Sequence, residues 1–164
     1  YKTREEIFLT LYDQSLIRWS SVFIATLSEE MTSKAYAQSL YKTTCADGVF
    51  LPLLIRLEHV IEHNVDIPRL IESKRVFMQQ VDAIAKVTSA ALDLGTAQAG
   101  EVVKTMGVLL IGATQTDQRP ALDNEALPAD VQHLIASFSS EPLFVKNAVR
   151  IIESIRAETV AVAD

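Results

Sequence analysis

The chain has 164 residues, a net charge of −6 and a predicted pI of 5.1, with 49% hydrophobic and 22% charged residues. That composition is ordinary for a globular protein and excludes a disordered one. Lys74-Arg75 is its only adjacent basic pair. With the other cations scattered, no nucleic-acid partner is expected of a surface that would need clustered Lys and Arg. A single cysteine, Cys45, rules out an intrachain disulfide and reads as a small buried apolar residue. The most membrane-like stretch, Val102 to Ala113, contains Lys104 and is shorter than the roughly 20 residues a span needs, so no membrane is expected either. Lys2 and Arg4 are followed by acids rather than by an apolar run, so no secretory leader is read and the expected location is cytoplasmic.

In chain order, residues from about Thr3 to Leu27 read as a long helix. Phe8, Leu11, Tyr12, Leu16, Trp19, Val22, Phe23 and Leu27 share one face, and Ile17 and Ile24 lie opposite them. A helix that is apolar on two sides is internal to its fold or shared with another chain, which makes Ile17 and Ile24 the candidate interface residues of a homo-oligomer. Thr32-Ser33 reads as the cap of a short helix carrying Ala35, Tyr36, Ala37, Leu40 and Tyr41.

Asp47-Gly48 is a turn and cap ahead of the densest apolar run, Val49 to His63. At 3.6 residues per turn, Phe50, Leu53, Leu54, Leu57, Val60 and Ile61 fall on one side of that run, with Arg56, Glu58, His59, Glu62 and His63 on the other. Asp66 caps the next helix, with Pro68 in its first turn. This helix is expected to stop at Gly95 and to bury Leu70, Ile71, Phe77, Met78, Val81, Ile84, Ala85 and Leu92, with Lys74 snorkelling from the edge of that stripe.

Thr96 caps a further helix to about Thr114. It is nearly all apolar in its second half and is expected deep in the core, with another helix closely approaching Gly100 and Gly107. A polar connection over 115–127 follows. A short helix then opens at Pro128, and Ser139-Ser140-Glu141-Pro142 starts the last one. No stretch alternates with a period of two between hairpin turns. The expected fold class is all-α, a bundle of about five to seven helices in one domain, with room for an N-terminal helical arm over about residues 1–30.

Two patterns carry chemistry. His59-Val60-Ile61-Glu62-His63 reads H-x-x-E-H and resembles the inverted zinc-protease motif over those five residues. The resemblance implies zinc held by His59 and His63, with Glu62 as the base for a bound water. A third ligand would have to come from Glu58, His133 or the 115–127 loop. Arg56 and His63 have the R-x6-H spacing of HEPN-type ribonucleases, although Leu57 stands where that family carries a polar residue.

Against these short patterns stands the absence of any cofactor fingerprint or basic surface, with catalytic or cofactor-binding residues otherwise unassigned. The first reading is therefore a non-enzymatic helical interaction or assembly module whose partner is another protein or a second copy of itself. The second is a metal-dependent hydrolase using His59, Glu62 and His63. The third is a ligand-sensing helical domain with an apolar pocket among Trp19, Phe23, Phe50 and Met106.

Overall fold

The structure, a computed structural model, describes residues 3–57, 64–115 and 127–161, the last three as backbone only. It is all-α, and no strand occurs among the described residues. Seven helices follow in order: α1 (Arg4–Ala25), α2 (Ser33–Ala46), α3 (Phe50–Arg56), α4 (Ile67–Leu92), α5 (Thr96–Gln115), α6 (Ala129–Ser137) and α7 (Ser140–Ala161).

Local chemistry sets most of the helix ends. Thr3 Oγ1 accepts the Glu6 N–H at 3.2 Å, and Thr32 Oγ1 accepts that of Ala35 at 3.1 Å, each relieving a donor that the first helical turn leaves unpaired. Asp47 Oδ1 does the same for α3, accepting from Val49 at 2.9 Å and Phe50 at 2.8 Å. Arg18 holds the other Asp47 oxygen at 2.9 Å. Asp66 caps α4 by position, with Pro68 in the first turn.

The C-terminus of α4 departs from the sequence expectation. The left-handed residue there is Asp93, with φ 52° and ψ 58°, and not Gly95. Asp tolerates that region better than most side chains. The Leu94 N–H closes back on Ser89 O at 3.0 Å, while the Leu94 side chain is buried in the core, a combination that ends a helix without glycine.

The three residues after Leu92 turn the chain, so α5 returns antiparallel along α4. Polar pairs show that α1 lies parallel to α4. Asp13 meets Arg69 and Ser73, and one turn or two further on Ser20 meets Gln80. On the other side α7 packs on both α5 and α2, and Tyr41 with Ser140 and Ser33 with Glu153 set it antiparallel to α2. Tyr12, Phe23, Tyr36, Met106, Phe144 and Ile152 are fully buried where these helices meet. Each such side chain contributes on the order of 1.5–3 kcal/mol by leaving water.

Several expected core positions lie outside. On α1 the buried strip is rotated toward Leu9, Asp13 and Ser20, and leaves Phe8, Leu11 and Val22 partly in solvent. On α4, Ile71, Phe77 and Met78 are exposed, because only the second half of that helix is covered from both sides. Cys45 is exposed, on the solvent side of α2 beside the buried Thr44. Among the described residues nothing lies within 4 Å of where a Cβ would stand at Gly100, Gly107 or Gly112, so no described helix closely approaches them. Val108 is 74% exposed, so one side of the second half of α5 faces solvent while Met106, Leu110 and Thr114 on the other are buried.

Candidate ligand-binding site

Along the seam of α1, α4 and α5 the helices do not close on one another. They leave a cavity of about 490 Å³, within the roughly 300–1,000 Å³ of small-molecule sites. Two helices contribute at the same helical spacing: Tyr12, Leu16, Trp19 and Phe23 from α1, and Ser73, Phe77, Gln80 and Ile84 from α4. From α5 come Met106 and Leu110 on the inner side and Gly107 and Ile111 beside them. Phe50 and Leu54 of α3 and Tyr36 and Leu40 of α2 complete the wall. Because α1 and α4 run parallel and α5 antiparallel, the cavity is elongated. Tyr12, Ser73 and Gln115 mark one end, and Phe23, Ile84 and Val103 the other. The lining of α5 from Val103 to Gln115 alone spans about 18 Å at 1.5 Å per residue.

Local sequence accounts for the empty space. Gly107 contributes no side chain where a larger residue would project, and the facing aromatic groups are held on one another instead of filling the gap. Trp19 stacks on Phe50 at 4.5 Å between ring centroids and on Phe23 at 5.7 Å, while Tyr12 stacks on Phe50 at 6.1 Å. Such pairs add about 0.5–1.5 kcal/mol beyond their buried area, so the rings stay in register around the cavity.

The polar groups of the lining are few. Gln80 is held by Ser20, and Ser73 donates to Asp13, so both are turned into the α1–α4 seam. The Tyr36 phenol is bonded to Thr88 Oγ1 at 3.0 Å. Burial pushes its pKa up to about 12, only partly opposed by that hydrogen bond, and the phenol stays neutral at any physiological pH. Trp19 is different. It is 8% exposed, and its Nε1–H is buried with no hydrogen-bond partner among the described residues. Leaving a buried donor unmade costs about 1–3 kcal/mol. The charged members of the lining are Lys74 and Lys104, both at the exposed rim with Phe77 and Val108; no described carboxylate lines the cavity.

The pocket read from the sequence among Trp19, Phe23, Phe50 and Met106 is brought together here, all four side chains lining this one cavity. His59, Glu62 and His63 lie outside the described residues, as does Glu58. Arg56, the described member of that set, is exposed at the end of α3, and His133 is exposed on α6. Among the described residues no group of three or more His, Cys, Asp or Glu is arranged to hold a metal ion, zinc included. Ile17 is 45% exposed, whereas Ile24 packs partly buried against the core.

The sequence reading missed the Asp13–Arg69–Ser73 cluster and the rim position of Lys104. The signal for the first was present: Asp13 interrupts the apolar strip between Leu9 and Leu16, and Arg69 and Ser73 are one turn apart on the helix that meets it.

Comparison with known proteins places this cavity in context. No curated protein matches the chain. Residues 13–152 match the family described as tetracyclin repressor-like, C-terminal domain, a stretch that runs from α1 into α7 and takes in every described lining residue of the cavity except Tyr12. Domains of that description typically bind ligands and regulate transcription repressors, so the match overturns the reading of the chain as a helical assembly module. Of the readings drawn from the sequence, the ligand-sensing domain fits both the cavity and the match. By that match over most of its length, the chain belongs to the tetracyclin repressor-like C-terminal domain family.

Proposed function

We propose that this domain is the ligand-sensing part of a transcription repressor, taking a small, largely apolar molecule into the cavity between α1, α4 and α5. The observation that carries the reading is the cavity itself: elongated, walled by aromatic and aliphatic side chains, and reached past a rim of Lys74, Phe77, Lys104 and Val108. The domain's own surface is acidic and its cations scattered, so contact with DNA falls to a segment other than this one. Domains of this family usually form homodimers, and self-association belongs to the same proposal, with Ile17 as the side chain of the original pair left on the outside.

A neutral fluorescent probe tests the cavity directly. N-phenyl-1-naphthylamine is expected to bind the purified domain saturably at one site per chain and to quench Trp19, the single tryptophan. Gly107→Leu, which projects a side chain into the open space, is expected to abolish that binding while leaving the circular dichroism spectrum unchanged. Equal binding by the variant removes the proposal. Sedimentation of the wild type and of Ile17→Glu addresses dimerisation, and a wild type that stays monomeric at high concentration removes that part.

A further inference from the structure

The cavity's chemistry also identifies the class of molecule it takes, an inference that rests on the ligand-sensing reading above. Its described lining combines a long apolar channel with cations at the rim and no carboxylate, in a chain whose net charge is −6. Lysines at the rim of a described lining that is otherwise apolar favour an anionic guest over a cationic one. Lys104 makes no ion pair or hydrogen bond among the described residues, and it stands at the end of the channel marked by Val103 and Ile84. Its ammonium is therefore open to a new partner.

Further in, the Trp19 Nε1–H needs an acceptor. The partner cannot be a second charge, because an unaccompanied carboxylate among Leu16, Phe23 and Phe50 would lose its solvation with nothing in return. A hydroxyl would satisfy the indole but bring an unmatched donor of its own. A carbonyl or ether oxygen accepts and leaves nothing unpaired.

We propose that the ligand is an elongated organic acid, its carboxylate held by Lys104 at the rim, its apolar body lying along the channel, and a neutral oxygen within that body accepting from Trp19 Nε1–H. Binding then changes two groups that the empty domain leaves unengaged, and it couples the guest to α1 and α5 at once.

The test uses three probes of equal chain length, kept below their micellar concentrations: dodecanoate, 1-dodecanol and 6-oxododecanoate. Calorimetric titration of the whole chain is expected to show dodecanoate binding about tenfold tighter than 1-dodecanol, the scale of one charge-assisted contact at a partly exposed site. Lys104→Met should erase that preference with dodecanol affinity unchanged, and Lys104→Arg should keep it. In the wild type, 6-oxododecanoate should bind tighter than dodecanoate and move the Trp19 emission to longer wavelength, as a hydrogen-bonded indole does, a readout that requires no variant to fold.

Equal affinity for acid and alcohol overturns the anionic class. An acid preference that survives Lys104→Met overturns the role of Lys104. A tryptophan spectrum indifferent to the keto group overturns the role of Trp19. If none of the three binds while N-phenyl-1-naphthylamine does, the acid class is wrong and the sensing cavity stands. If the dye fails as well, the cavity reading itself falls.

Discussion

Asp13 of α1 is nearly buried and accepts from both Arg69 and Ser73 of α4, with Arg69 Nη2 at 2.5 Å. This is where the two parallel helices that wall the cavity are joined, next to Tyr12 and one turn from Leu16. Asp13→Ala strands a partly buried guanidinium and a buried serine hydroxyl. The expected cost is about 1.5–3 kcal/mol, the range for hydrogen bonds to charged groups, because Arg69 retains some access to water. Urea denaturation measures it, and a loss under about 0.5 kcal/mol would show that α1 and α4 are held by their apolar contacts alone.

Tyr36 gives the domain an alkaline limit. Its folded pKa of about 12 lies above the ordinary 10.0, so the folded state binds the phenolic proton more tightly than the unfolded chain does. The contribution is whole below pH 10 and is lost as pH rises from 10 to 12, on the order of 3 kcal/mol across that window. Tyr36→Phe is expected to cost about 1–2 kcal/mol at neutral pH by orphaning Thr88 Oγ1, and to flatten the alkaline decline. Thermal melts of both proteins from pH 8 to 12 check the slope; parallel curves would show that Tyr36 does not set it.

In acid the sign reverses. Burial raises the Asp47 pKa, but the Phe50 N–H, the Arg18 guanidinium and the Val49 N–H outweigh it and hold the carboxyl below its usual value of 3.8. Ser33 does the same for Glu153, against a smaller opposing effect of burial and with help from Arg156. Stability from these groups is present above the ordinary carboxylate range and is lost as pH falls through the lowered folded values. Asp47→Ala should cost about 1 kcal/mol at pH 7, the usual worth of a cap, and that cost should shrink as the pH falls below the ordinary carboxylate range. An unchanged gap between wild type and variant at pH 7 and pH 2.5 would contradict this.

Glycine at 100, 107 and 112 in α5 has no packing reason among the described residues. Gly100→Ala is therefore expected to stabilise by about 0.5–1 kcal/mol through helix propensity alone. Gly107→Ala should stabilise similarly while trimming the cavity, and so separate stability from ligand affinity: a higher Tm with weaker dye binding. A lower Tm at either position would mean that a partner outside this chain presses on α5.

These glycines also show where sequence reading stops. Caps at Thr32, Asp47 and Asp66 and the 3.6-residue spacing placed the helices and the all-α class, because those signals are local. Periodicity assigns a residue to a face without saying what that face meets. Ile71 and Met78 share a stripe with Ile84 but are exposed where Ile84 is buried, and the same rule that put Ile84 inside put them inside too. A cavity is harder still. Trp19, Phe23, Phe50 and Met106 are the residues of a filled core as much as of a hollow one, and the difference lies in the distance between helices. A void leaves no motif.

The two ends of α4 are held differently. The α4–α5 turn is tied from three sides: Met31 N–H to Ala91 O at 2.7 Å, Arg156 Nη2 to Leu92 O at 2.9 Å, and Gln98 Nε2 to Ile155 O at 2.7 Å. At the opposite end, α4 begins with Ile67 72% exposed and Ile71 also in solvent. The helix is thus tied from three sides at its C-terminus, whereas its first half is held to α1 through Asp13 with Arg69 and Ser73 and is open to solvent at Ile67, Ile71, Phe77 and Met78. Amide hydrogen exchange should record that asymmetry, fast over residues 70–78 and slow over 84–92, with ligand slowing the first set and leaving the second untouched.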